Sequence, residues 1–179
     1  MAEMGDGRYV MKERLKSELT RLWTGELAAV VMFWVCFFTF RVWITSVKML
    51  CSIVFPLIVL SIILIQGSVF WWILAKRLSV PQFAVRYTGK VYRILKIIDV
   101  ILLCMALISI IVNYSTFYVM IISGFLWAFA VIEWINYFER RLSYSYNPVV
   151  LLRRMKNRNL KKSKIAKEIE NGFIFRKNY

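Results

Sequence analysis

The chain has 179 residues, of which 60% are apolar, and its formal net charge at pH 7 is +15. Soluble domains are about 45–50% apolar, and here the excess lies in long uncharged runs rather than in alternating or striped patterns. These features exclude an ordinary soluble domain, and they predict an all-α, polytopic membrane protein. The chain contains no histidine, the commonest general base and metal ligand. It also lacks phosphate-loop, nucleophile-elbow and zinc-protease motifs, so we expect no enzymatic activity, no cofactor and no metal.

The N-terminal segment, residues 1–24, predicts an amphipathic helix. Charged side chains occupy much of its surface, and apolar side chains recur at intervals of three and four residues. The apolar positions are Met11, Leu15, Leu19, Leu22 and Trp23. We expect this helix to lie in the membrane interface and to lead into the first span.

Four membrane spans are predicted, at about residues 25–46, 50–75, 96–113 and 117–138. The second lies in an uncharged run of 27 residues, and a run of about 18 or more predicts a span. The next uncharged run, of 33 residues, is too long for one span, so its NYST sequence at 113–116 predicts a turn. Between the second and third spans, residues 76–96 predict a basic connector that Pro81 and Gly89 interrupt.

The distribution of positive charge predicts the orientation of the chain. The segments before, between and after the spans carry five, two, six, none and twelve Lys or Arg residues in chain order. Alternate segments therefore hold 23 against 2, and the positive-inside rule places both termini in the cytoplasm. A composition rich in Lys and Ile and free of His favours a bacterial plasma membrane.

The last segment, residues 139–179, predicts a basic, helical cytoplasmic tail. Asn147-Pro148 is typical of a helix start, and Asn171-Gly172 is typical of a helix end. We expect its basic residues to contact anionic lipid on the cytoplasmic face, and RNA or a ribosome is the less favoured alternative because no aromatic residue lies among them. The few residues after Gly172 leave no room for a recognition helix, so we expect no DNA binding. The eight basic residues are Arg153, Arg154, Lys156, Arg158, Lys161, Lys162, Lys164 and Lys167.

Two carboxylates lie within otherwise apolar helical segments, at similar depths near the cytoplasmic side. Asp99 belongs to the third span and Glu133 to the fourth, with Asn136 close to Glu133. The short turn makes these spans antiparallel neighbours, so the two acids are placed to meet in one layer. The favoured interpretation is that each forms a structural ion pair, Asp99 with Lys96 nearby and Glu133 with Arg140 nearby. The alternatives are a layer in which the two acids share a proton or hold a cation, or contact with a partner protein.

Small residues in the fourth span predict a helix-packing face. Gly124 and Ala128 form a small-x-x-x-small pair that lets another helix approach closely, either within this chain or in a second copy. Ser123 and Ala130 are the other small residues of this region. The three cysteines are far apart in sequence, so we expect them to act as small apolar side chains.

Three classes of function are compatible with these features. The favoured one is a non-catalytic accessory or scaffold protein that binds other membrane components, with a membrane protein partner or further copies of itself. The alternative is a small oligomeric transporter or channel that uses the acidic layer of Asp99 and Glu133. A lipid-directed membrane enzyme is the third. Water-accessible acids in mutual contact would favour transport, whereas acids in salt bridges would favour the scaffold.

Overall fold

The computed structural model describes residues 3–139 and residue 165, with side chains described from Lys12 onward except at Arg86. Within this part of the chain the secondary structure is helical, without strands. The helices are α1 (Glu3–Phe40), α2 (Val47–Arg77), α3 (Val85–Val112) and α4 (Phe117–Phe138), and a 3-10 turn, Arg41–Trp43, follows α1. All four α-helices are long and apolar enough to cross a membrane. The prediction of an integral membrane protein with four spanning helices is confirmed.

Helix α1 is continuous across Gly25, where the amphipathic segment was expected to give way to the first span. Its 38 residues correspond to about 57 Å of helix, whereas the hydrocarbon core of a bilayer is about 30 Å thick. The charged half and the apolar half therefore belong to one element rather than two. The location of the charged half in the membrane interface stays a prediction.

Helix α2 is the most buried of the spanning helices. Half of its most apolar window is buried, whereas no residue in the corresponding window of α1 is. Pro56 lies inside α2 and is itself buried, and the helix continues past it despite the missing backbone donor. Ser61 Oγ donates to Leu57 O at 2.8 Å, which satisfies this buried hydroxyl within its own helix.

Helix α3 begins at Val85 and includes Gly89, so the prediction that Gly89 interrupts a basic connector is wrong. A glycine in a helix interior costs about 1 kcal/mol relative to alanine. Here the helix buries a face that recurs at intervals of three to four residues, and this packing outweighs the cost. The buried positions are Thr88, Gly89, Tyr92, Asp99, Leu103, Ala106 and Ile110. Pro81 does lie in the turn between α2 and α3.

The described helices group into two compact units. One unit contains α1, the part of α2 from Leu64 onward and the turn that follows. The other contains α2 up to Ile63 together with α3 and α4. Each unit holds one of the two polar clusters described below.

Candidate functional site

Three contacts between α3 and α4 show which residues of the two helices lie at the same height along the helix axes. Trp127 Nε1 donates to Leu103 O at 2.9 Å, and the rings of Tyr92 and Phe138 lie 6.4 Å apart. Lys96 Nζ lies 5.6 Å from the centre of the Trp134 ring. Each step along α3 is matched by an equal step back along α4, which is the pattern of an antiparallel helix pair.

Asp99 and Glu133 lie at nearly the same level in this antiparallel pair. Asp99 is level with Val131, which precedes Glu133 by two residues, or about 3 Å along the helix axis. Asp99 is completely buried, at 0% exposure, whereas Glu133 is half-buried. The two predicted acids therefore share a layer of the fold. A shared proton or a bound cation between them stays a prediction.

The Glu133 carboxylate is held by neighbours on its own helix. Asn136 Nδ2 donates to Glu133 Oε2 at 3.4 Å, and the Tyr137 side chain also hydrogen-bonds to this carboxylate. The structure thus brings together two of the three residues of the predicted polar site, Glu133 and Asn136. The short-range pattern of i, i+3 and i, i+4 explains why both partners lie on one side of α4.

Lys96 is a cation of the same layer, but the structure gives it a different partner from the one expected. Its ammonium donates to Glu139 Oε1 in an ion pair while its charge rests against the face of Trp134. Both side chains of the ion pair are partly exposed, so the pair itself contributes at most about 1 kcal/mol. Lys96, in the first half of α3, therefore joins this helix to Glu139 at the end of α4. Arg140, the cation expected beside Glu133, lies outside the described residues.

The small residues of α4 divide between two faces. Ser123 and Ala130 are completely buried, and Ser123 Oγ lies 3.3 Å from Ser52 Oγ on α2. Gly124 is half-buried, Ala128 is exposed, and a β-carbon added at Gly124 would meet no atom within 4 Å. The Gly124–Ala128 pair thus does not pack against another helix within the described residues. Its role in self-association stays a prediction.

A second polar cluster joins α1 to α2, and the sequence analysis missed it. Trp71 Nε1 donates to Glu26 Oε1 at 2.8 Å, and Ser68 Oγ donates to Trp23 O at 3.0 Å. Ser68 and Trp71 are buried. Glu26 lies at the start of the first apolar run, next to Gly25. A charged residue is common at the end of a membrane span, so the local sequence did not distinguish Glu26 as a buried hydrogen-bond partner. The hydrogen bond gives this carboxylate a structural partner inside the protein.

The remaining predicted residues fall outside these clusters. Cys36, Cys51 and Cys104 are free thiols on exposed positions. No group of three or more potential metal ligands occurs among the described residues. The eight basic residues of the tail lie outside the part of the chain that the structure describes. Within the tail, the structure describes Ile165, which is helical and buried.

The chain matches no protein-family model, no curated protein and no solved structure.

Ser123 is completely buried, whereas a side chain at Gly124 would meet open space. Substitutions at these two adjacent positions are therefore expected to differ in their effect on stability. We expect Ser123→Leu to lower the free energy of unfolding by about 1–3 kcal/mol, because the larger side chain must enter a filled layer. Gly124→Leu is the control and is expected not to destabilise, because its side chain would enter open space. Thermal unfolding in detergent, followed by circular dichroism, measures both. Equal destabilisation by the two variants would show that both positions are packed internally.

The hydrogen bond between Glu26 and Trp71 generates a second pair. Glu26→Gln keeps an oxygen acceptor for the indole, so we expect little loss of stability. Glu26→Leu removes the acceptor and leaves the buried indole N–H unsatisfied, which costs about 1–3 kcal/mol. The difference disappears in a Trp71→Phe background if the bond is responsible. A Glu26→Leu effect that persists unchanged in that background would assign the loss to another contact of Glu26.

Proposed function

We propose that this protein is a non-catalytic accessory or scaffold protein of the membrane that binds other membrane components. The observation that carries the proposal is the use of polar groups within its apolar helices. Several of these groups form hydrogen bonds with other groups of the described residues. The bonded pairs are Glu26 with Trp71, Ser68 with Trp23, Ser52 with Ser123, Trp127 with Leu103, and Glu133 with Asn136.

The layer containing Asp99 and Glu133 has the features of a structural contact between α3 and α4 rather than of a binding site. Asp99 has no exposed surface, so water and hydrated ions do not reach it in this conformation. Lys96, the cation three residues from Asp99, is already paired with Glu139 at the end of α4. A conducting site would instead require acids that face water.

The outward faces support binding to other membrane components. No residue in the most apolar window of α1 is buried, and this helix carries an aromatic cluster in which the ring centres of Trp34, Phe37 and Phe38 lie 5.5–5.8 Å apart. On α4 the rings of Phe125 and Phe129 stack at 6.5 Å. Rigid aromatic surfaces of this kind are enriched where proteins contact one another.

The proposal includes an orientation. The excess of basic residues on alternate segments supports both termini in the cytoplasm. The composition rich in Lys and Ile and free of His favours a bacterial plasma membrane. In that orientation the basic tail faces the anionic leaflet, to which each basic residue contributes about 1 kcal/mol of attraction. The bilayer is then the first partner, and another membrane protein is the second.

A small oligomeric transporter or channel is the second candidate, and one observation favours it. Asp99 and Glu133 are at one level of the α3–α4 pair, as a proton- or cation-binding layer would require. A conformational change that opened this level to water would convert the contact between α3 and α4 into a binding site.

The first test is the mass of the intact particle extracted from its own membrane in mild detergent, with all co-purifying proteins identified. We expect a stoichiometric membrane protein partner, because a scaffold must be occupied to act. The control is the same extraction at high salt, which removes loosely bound basic-tail contacts. A homo-oligomer without any partner would contradict the scaffold assignment.

The second test separates the scaffold from the transporter. Liposomes that contain Asp99→Asn or Glu133→Gln are compared with liposomes that contain the original chain for proton and cation flux. We expect no flux in any of the three, since Asp99 is completely buried. Flux through the original chain that either substitution abolishes would establish transport.

A further inference from the structure

The turn that follows α2 is folded back on the end of that helix by its own hydrogen bonds. Backbone N–H groups of Ser79 and Val80 donate to Lys76 O at 3.1 and 2.9 Å, and Phe83 N–H donates to Val80 O at 3.0 Å. Arg77 Nε donates to Phe83 O, also at 3.0 Å. These bonds fix the position of Phe83 relative to the last turn of α2.

Phe83 and Trp72 form an aromatic corner that contacts the ammonium group of Lys76. The Phe83 ring meets the Trp72 ring edge-on, with centres 5.8 Å apart and an interplanar angle of 82°. Lys76 Nζ lies 5.2 Å from the centre of the Trp72 ring and 5.9 Å from that of Phe83. The ammonium is therefore attracted to two aromatic faces, which favour a position of the lysine end group beside both rings.

The aromatic rings hold the charge of Lys76 without neutralising it. Lys76 is exposed, and no carboxylate of the described residues forms an ion pair with it. An ammonium has three hydrogen-bond donors and no acceptor, so its exposed side is suited to an anion. Arg77, the next residue of α2, adds a second positive charge to this end of the helix.

The depth of the corner defines the kind of anion. Lys76 is the first charged residue after the uncharged run of 27 residues in α2, so it marks the boundary between hydrocarbon and headgroups. Trp72 and Val80 expose 41% and 50% of their surface beside it, and an exposed indole is typical of the membrane interface. A ligand that meets both surfaces has a negative polar group and an apolar body.

We propose that Lys76, Trp72 and Phe83 form a binding site for the phosphate of an anionic phospholipid. The lipid phosphate accepts hydrogen bonds from the Lys76 ammonium, and the acyl chain region lies against Trp72 and Val80. This site is separate from the basic tail, and it does not depend on whether the protein has a membrane protein partner.

The experiment uses the full chain in an uncharged detergent, with phosphatidylglycerol or phosphatidylcholine added in steps. Native mass spectrometry then gives the dissociation constant of the first bound lipid. We expect phosphatidylglycerol to bind more tightly than phosphatidylcholine. Lys76→Gln is expected to weaken phosphatidylglycerol binding about tenfold, the effect of removing one charged donor. Lys76→Arg keeps the cation and is expected to retain most of the affinity.

Two further variants separate the aromatic corner from diffuse charge. Trp72→Leu keeps the lysine but removes a ring, and we expect binding to weaken about two- to fivefold. Lys90→Gln removes an exposed lysine of the same basic segment and is the matched control, with little change expected. Equal losses in Lys76→Gln and Lys90→Gln would overturn the proposal in favour of diffuse attraction. Competition by millimolar glycerol phosphate would also overturn it, because the site would then bind a soluble phosphate rather than a lipid.

Discussion

The hydrocarbon core of a membrane offers no hydrogen-bond partners, so each polar group that enters it must find a partner within the protein. This constraint explains the hydrogen bonds of the fold. Trp71 bonds to Glu26, Trp127 bonds to the carbonyl of Leu103, and buried serines bond to carbonyls or to each other. An indole or hydroxyl left without a partner would cost about 1–3 kcal/mol. The polar contacts therefore determine which helix faces meet, and the apolar residues fill the remaining surface.

Helix α2 shows how this constraint organises the chain. Its first half contacts α4 through Ser52 and Ser123, and its second half contacts α1 through Ser68 and the carbonyl of Trp23. Serine is small enough to let helices approach closely, and it supplies a hydroxyl that satisfies a neighbour. The same helix ends in the aromatic corner around Lys76, where the apolar surroundings give way to charge. One helix thus contributes packing contacts within each unit, and its last turn carries the aromatic corner.

Much of this fold follows from local sequence, because membrane insertion selects for long uncharged runs. The turn predicted at 113–116 lies between the end of α3 at Val112 and the start of α4 at Phe117, since Asn, Ser and Thr favour a break there. Helix α3 begins at Val85, 11 residues before the third predicted span. The sequence did not predict this extension, because its charged residues resemble a loop while Thr88 and Tyr92 are buried. The bond between Glu26 and Trp71 joins residues 45 apart, and no local pattern predicts such a pairing. The faces of α4 were only partly predictable, since Ser123 and Gly124 are adjacent small residues with opposite environments.

The balance between a scaffold and a transporter depends on whether water reaches the layer of Asp99 and Glu133. The most direct measurement replaces Asp99 with Cys in a chain whose three native cysteines are changed to Ala. A charged, membrane-impermeant thiol reagent is then applied from each side of sealed vesicles. A cysteine that replaces the exposed Lys48 is the positive control. A layer closed to water predicts no modification at position 99 from either side while position 48 reacts. Modification at position 99 would contradict the closed layer and would establish a water path into the fold.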